Sequence, residues 1–203
     1  MKNAVLSLVA LAALAACGGA QDAEQNAASA APADTASAAA APAPEAAAPA
    51  TGGVTDPQIA HIVVTANQVD ITAGELAQTR SANSKVKEFA QRMVTDHGGV
   101  NKAATELATR LGVTPEANPT SQQLQRGGEQ NVSALQGLNG AEFDRAYVAN
   151  EVTYHQAVLD ALDQTLIPGA QNAELKTLLQ QSRPAFVAHL EHARQLQASL
   201  GQK

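Results

Sequence analysis

The chain has 203 residues, with 13 Lys and Arg against 19 Asp and Glu, for a formal net charge of −6. That balance, without any run of basic residues, excludes the electrostatic footprint of a nucleic-acid binder. Two Tyr, three Phe and no Trp leave few platforms for stacking bases or sugars, and a single cysteine excludes an internal disulfide.

The chain opens MKNAVLSLVALAALAACGGA. Lys2, a short apolar run and small residues before Cys17 have the layout of a signal peptide, and the run is too short to span a bilayer as a helix. Leu14-Ala15-Ala16-Cys17 resembles a bacterial lipobox. Residues 1–16 are therefore expected to be a lipoprotein signal peptide, and Cys17 the lipidated residue of the mature chain. Gly18, rather than Asp, follows the cysteine, which points to an outer-membrane lipoprotein facing the periplasm. The expected partner is thus the membrane, through an N-terminal lipid anchor. Residues 17–53 are rich in Ala and Pro and lack large apolar groups, so they cannot bury enough surface to offset their ordering entropy. They read as a tether, with one folded domain over 54–203.

Within that domain, Asp56-Pro57 has the form of a helix start, with Asp56 as N-cap. Ile59, Ile62, Val63, Ala66, Val69, Ala73 and Leu76 recur at helical spacing and predict a helix to about Ser81. Ser84 is expected to cap a second helix, striped by Val86, Phe89, Ala90, Met93, Ala104, Leu107 and Leu111 and stopped at Gly112. Gly98-Gly99 should weaken it by about 1 kcal/mol per glycine. A shorter helix is expected over Ser121 to Leu138, interrupted at Gly127-Gly128. The next runs from Ala141 to Leu166 and is ended by Pro168-Gly169. The last begins near Asn172, and Pro184 inside it should kink it. No stretch alternates as a half-buried strand does. The expected fold is all-α: an up-and-down helical bundle of four long helices and one short one.

Titratable residues fall on the apolar faces. At about 100° per residue, His97 lies between Met93, Ala90 and Ala104. Asp70 lies beside Ala66 and Ala73, while Glu75 faces solvent. Glu151 is flanked by Tyr147, Tyr154 and His155, His189 lies between Phe186, Ala193 and Leu196, and His192 lies at the edge of that stripe. His61 falls on a polar face. Buried carboxylates need partners. Two arrangements supply them. One is a polar network in which each imidazole is satisfied by a carboxylate or a carbonyl. The other is one transition-metal ion, Zn, Cu or Fe, held by His97, His155 and His189 with Asp70 and Glu151, around which Asp96, Tyr147, Tyr154 and His192 would form an outer layer.

The segments DITAGELA (70–77), VKEFAQRMVTDH (86–97), FDRAYVANEVTYHQAV (143–158) and RPAFVAHLEHARQL (183–196) resemble the bacterial family catalogued as domain of unknown function 4142. Its motif positions correspond here to Asp70, Asp96, His97, Tyr147, His155, Pro184 and His189. The resemblance implies a ferritin-like fold behind a signal peptide and supplies no activity. A ferritin-type di-iron site needs Glu-x-x-His on two helices. That spacing is absent, since Glu151 and His155 are four apart, so the ligand set suits a single ion. Three functions remain open: a metal-binding or stress-protective module of the envelope, a metal-dependent enzyme, and a structural or partner-binding bundle. No Ser-His-Asp set or glycine-rich phosphate loop selects a reaction.

Overall fold

The computed structural model describes residues 53–201. The expected signal peptide, Cys17 and nearly all of the expected tether lie outside them. The described chain is all-α, without a strand: α1 (Asp56–Arg80), α2 (Ser84–Leu111), α3 (Pro119–Gln136), α4 (Gly140–Ala161) and α5 (Ala173–Leu200). Between α4 and α5 the chain makes a π-helical turn, Leu162–Leu166, and one more helical turn, Ile167–Gly169.

The helix starts differ from expectation by one or two residues. Thr55, not Asp56, is the N-cap of α1, and its backbone N–H donates to Gln58 Oε1 at 3.2 Å. Asp56 is instead a clamp across the bundle. Its two carboxylate oxygens accept the backbone N–H groups of Gln171 and Asn172, at 2.9 and 2.8 Å, just before α5 begins. Asn83, not Ser84, caps α2 by accepting from Lys85 N. Asn118 caps α3 by accepting from Ser121 N, so that helix begins at Pro119. Gly112 ends α2 at φ 65°, a left-handed conformation natural to glycine.

The interruption expected at Gly127-Gly128 is absent, because α3 is continuous. The reason is steric. A Cβ at Gly128 would lie 2.7 Å from a Val69 methyl, so Gly128 lets α3 lie close on α1. Gly74 plays the same part between α1 and α2, where a Cβ would meet Val94 at 3.0 Å and the Ala90 carbonyl at 3.1 Å. α5 runs without a break through Pro184. The helix expected to reach Leu166 in one piece ends at Ala161 and continues as the π turn.

End contacts fix the directions. Glu116 N reaches Pro57 O and Asn118 reaches Gln58 O, so α3 begins beside the start of α1. Arg80 donates to the carbonyls of Gln136 and Leu138, so α3 ends beside the end of α1. Consecutive helices therefore alternate in direction, as expected. Among the four long ones, α2 and α4 run the same way, because α3 carries the chain back along the bundle. One long crossover is the connectivity of ferritin-like bundles.

Two apolar clusters fill the interior. One gathers Ile59, Ile62, Val63, Leu107, Leu162, Leu166, Leu179 and Phe186 toward the start of α1. The other gathers Ala73, Ala77, Phe89, Met93, Leu135, Phe143, Tyr147 and Leu196 toward its end. Between them, at mid-height on each long helix, lies a belt of buried polar side chains: Asn67 and Asp70 on α1, His97 on α2, Glu151 and His155 on α4, and His189 on α5.

Candidate metal centre

The belt brings together all five residues that the sequence suggested as ligands. Each is held by a helix whose apolar neighbours one turn away are in the core, so each side chain has only the interior to enter. The three imidazoles form a near-equilateral group with ring centroids 5.3–5.4 Å apart. The His97 ring stacks on Phe186, with centroids 4.9 Å apart and planes at 5°, which fixes its plane.

The outer hydrogen bonds decide which nitrogens face inward. Asn67 Nδ2 donates to Val63 O at 2.8 Å, which leaves Asn67 Oδ1 as an acceptor 2.8 Å from His97 Nδ1. His97 Nδ1 therefore carries the hydrogen, and Nε2 carries the lone pair. His155 Nδ1 lies 3.0 Å from the Glu151 carbonyl, which can only accept, so His155 also presents Nε2 as a lone pair. His189 Nε2 donates to Asp96 Oδ2 at 2.8 Å and leaves Nδ1 buried without a partner among the described residues. Outer partners of this kind set tautomer and ring orientation in metal sites.

The inward atoms crowd one another. His97 Nε2 lies 3.0 Å from Asp70 Oδ2, His155 Nε2 lies 3.4 Å from the same oxygen, and the two Nε2 atoms are 3.3 Å apart. Asp70 Oδ1, Glu151 Oε2 and the Tyr147 hydroxyl are buried there too, without hydrogen-bond partners among the described residues. One ligand atom from each of His97, His155 and His189 falls within 4.8 Å of the others, and the same holds for Asp70, Glu151 and His155. No Lys or Arg among the described residues pairs with Asp70 or Glu151.

Burial disfavours every charge here. It pushes Asp70 up to about 8, although the neighbouring Glu151 carboxyl works the other way. Glu151 is pushed well above the carboxylate range by burial and then by the Asp70 charge. Burial and the neighbouring imidazoles hold His97 well below its ordinary value and bring His155 down to about 4. His189 is also lowered by burial, against the pull of Asp96.

The expected outer layer divides. Asp96 belongs to it: its side chain is 39% exposed and links His189 to the surface. The Tyr147 hydroxyl is buried near the two carboxyl groups, whose charges raise its pKa after burial does. Tyr154 donates to Ala66 O at 2.7 Å and sets its ring edge-on to His155. His192 is the exception. Its ring packs edge-on against Phe89, 5.2 Å between centroids, and makes no hydrogen bond to the belt. It lies at the rim of the α5 stripe, where side chains turn aside into the apolar layer. His61 is partly buried rather than plainly exposed, and its Nδ1 lies 3.3 Å from Thr65 Oγ1. Asn67, which orients His97, was not among the residues the sequence suggested. Its signal was available: a polar residue one turn before Asp70, on the stripe that carries Val63.

Fold and belt together define a class: an all-α bundle with one long crossover and a buried His/carboxylate belt contributed by its four long helices. The family described as Domain of unknown function (DUF4142) matches residues 39–196, and the chain belongs to it. Searches of curated proteins and of solved structures returned no match.

Proposed function

We propose that the bundle binds one divalent transition-metal ion at His97 Nε2, His155 Nε2, Asp70 Oδ2 and His189 Nδ1, with Glu151 beside it. The supporting observation is the separation of three inward acceptors by 3.0, 3.3 and 3.4 Å, with their donor sides turned outward. Lone pairs that close repel unless a cation or a proton lies among them. A tetrahedral ion about 2.0–2.1 Å from its ligands separates them by about 3.3 Å, the spacing found. Charge favours a single ion as well, since a divalent cation neutralises the two buried carboxylates when the imidazoles are neutral. Nitrogen and carboxylate ligands suit Zn, Cu or Fe.

With His189 Nδ1 completing the set, four protein ligands would leave no open coordination position, which is the pattern of structural and storage sites rather than catalytic ones. The reading is therefore a metal-holding module, protective where it sequesters a redox-active ion. The amino-terminal sequence supports an envelope address: with Cys17 lipidated, the bundle would stand off a membrane on its Ala/Pro-rich segment. Cys17→Ser should then move the protein from the membrane to the soluble envelope fraction, and wild-type protein that never takes up labelled fatty acid would overturn the anchor.

A second reading rests on Asp70, held at about 8. As a neutral carboxyl it would donate its proton to one imidazole, and the belt would be a purely structural network. Thermal melts with and without Zn, Cu or Fe separate the two. Binding to the folded state alone raises stability by RT ln(1 + [L]/Kd), about 2.7 kcal/mol at a hundredfold excess over Kd. His97→Ala should abolish that increment. A melt indifferent to all three metals leaves the network.

A further inference from the structure

Beside the belt, lined in part by Asn67 and His97, lies a cavity of about 30 Å³. Its apolar wall comes from Ile62, Val63, Leu162, Leu166, Leu179 and Phe186. A water needs roughly 10–15 Å³ on this measure and two to four polar partners. Space is sufficient for about two waters, and partners are the limiting quantity.

Four polar side chains touch the cavity: Asn67, His97, Tyr154 and Ser182. The hydrogens that these four could donate are committed elsewhere. Asn67 Nδ2 donates to Val63 O, and Asn67 Oδ1 accepts from His97 Nδ1. The Tyr154 hydroxyl donates to Ala66 O at 2.7 Å, and Ser182 Oγ donates to Leu178 O at 2.9 Å. The remaining nitrogen of His97, Nε2, is turned to Asp70 and His155. A water in this space would exchange bulk hydrogen bonds for almost none. Apolar cavities stay dry and can accept small apolar guests such as xenon.

The wall also contains the one irregular turn in the bundle's described helices. Leu162 and Leu166 are the first and last residues of the π turn, and both are buried at the cavity. A π turn adds a residue to a helical turn, and such turns recur at functional sites. Here the widened turn carries both leucines against the space.

We propose that this cavity is a binding site for a small nonpolar gas of the dioxygen class, seated beside the His97 imidazole. The cavity lies beside the metal centre and shares His97, Asn67, Tyr154 and Phe186 with it, but none of the other four inward-facing residues. Its test uses metal-free full-length protein, so it stands or falls independently of the ion.

The probe is xenon, which matches such gases in polarisability and is chemically inert. Methyl resonances of Leu162, Leu166 and Val63 should shift saturably with xenon pressure, while those of Leu135, in the other apolar cluster, should not. Ala66→Leu, which adds a side chain at the wall, should abolish the saturable shift. If that variant fails to fold by circular dichroism, Val158→Leu, at another lining position, carries the same expectation. Dioxygen should then compete, seen as paramagnetic relaxation of the same methyls that xenon reverses. An unsaturated, uniform response in wild type overturns the site, as does a shift that survives the filling variants. So does a crystal structure showing ordered, hydrogen-bonded waters in the cavity.

Discussion

The apolar layers and the polar belt hold the same four helices together by opposite means. In the layer around Phe89, Met93, Phe143 and Leu135, these side chains are fully enclosed and almost all their neighbours are apolar, with His192 at the rim. Stability there comes from volume and area, about 25 cal/mol per Å² removed from water, and any well-filling apolar set would serve. In the belt, the same depth of burial encloses Asp70, Glu151 and three imidazoles, and leaves Asp70 Oδ1, Glu151 Oε2 and His189 Nδ1 without partners among the described residues. Each such group costs about 1–3 kcal/mol or more when buried unpaired. The belt thus lowers stability in return for geometry, which an apolar core does not do.

The contrast is sharpest for truncation in the apolar layer. Phe89→Ala should cost about 3–5 kcal/mol, the range for removing a buried aromatic ring, and chemical denaturation of the metal-free protein measures it. Glu151→Met, by contrast, removes a buried carboxyl and fills its space. Replacing buried charge with apolar volume is often neutral or stabilising by about 1–4 kcal/mol. The metal-free protein should therefore be no less stable than wild type, while the increment from added metal shrinks. If Glu151→Met destabilises the metal-free fold as strongly as Phe89→Ala, the belt is a satisfied network and the comparison collapses.

Acidity tests the belt without mutation. Asp70, about 8 when folded against an ordinary 3.8, binds its proton more tightly in the folded state, as Glu151 does. A raised carboxyl contributes stability that is present below the unfolded pKa and lost as pH rises through the folded one. His155, brought from 6.5 to about 4, acts in the other direction: its contribution disappears as pH falls through that interval. Between about 4 and 6.5 the two kinds of group offset each other, and above 6.5 the carboxyls act alone. The metal-free protein should therefore lose stability from about pH 6.5 to about 8. The metal increment should grow over the same range, because coordination needs the carboxylate and the free imidazole. Melting temperatures at pH 6, 7 and 8 with and without metal show the two trends, and parallel trends would count against coordination.

Smaller effects separate two kinds of glycine. A Cβ at Gly98 or Gly99 meets nothing within 4 Å, whereas one at Gly128 meets Val69 at 2.7 Å. Gly98→Ala and Gly99→Ala should each stabilise α2 by up to about 1 kcal/mol, and Gly128→Ala should destabilise. Nothing in the packing explains why two glycines follow His97. The smallest expected change is His61→Ala, outside the belt, which should leave both stability within about 0.5 kcal/mol and the metal increment intact.

The periodicity of apolar residues was enough to establish an all-α bundle, its helix count and most helix ends, because a 3.6-residue stripe is a local property written along the chain. The same projection put Asp70, His97, Glu151, His155 and His189 on inward faces. Cap positions shifted by a residue because a candidate cap can be engaged elsewhere in the fold. Thr55 prevailed over Asp56, which was drawn across the bundle to residues 171 and 172. The interruption expected at Gly127-Gly128 failed because a glycine inside a helix reads the same whether it breaks the helix or admits a neighbour. Only Val69, on another helix, distinguishes the two. The largest gap concerned mutual geometry. A stripe shows that a side chain points inward, not how high it lies relative to side chains on other helices. The reversal through α3, the close approaches at Gly74 and Gly128, and the clamp at Asp56 set those heights. They bring three lone pairs within 3.4 Å of one another and leave His192 on Phe89. Inward direction was determined by the sequence alone, through helical periodicity. Convergence at one point was decided only by the tertiary structure, because it depends on the register between helices far apart in the chain.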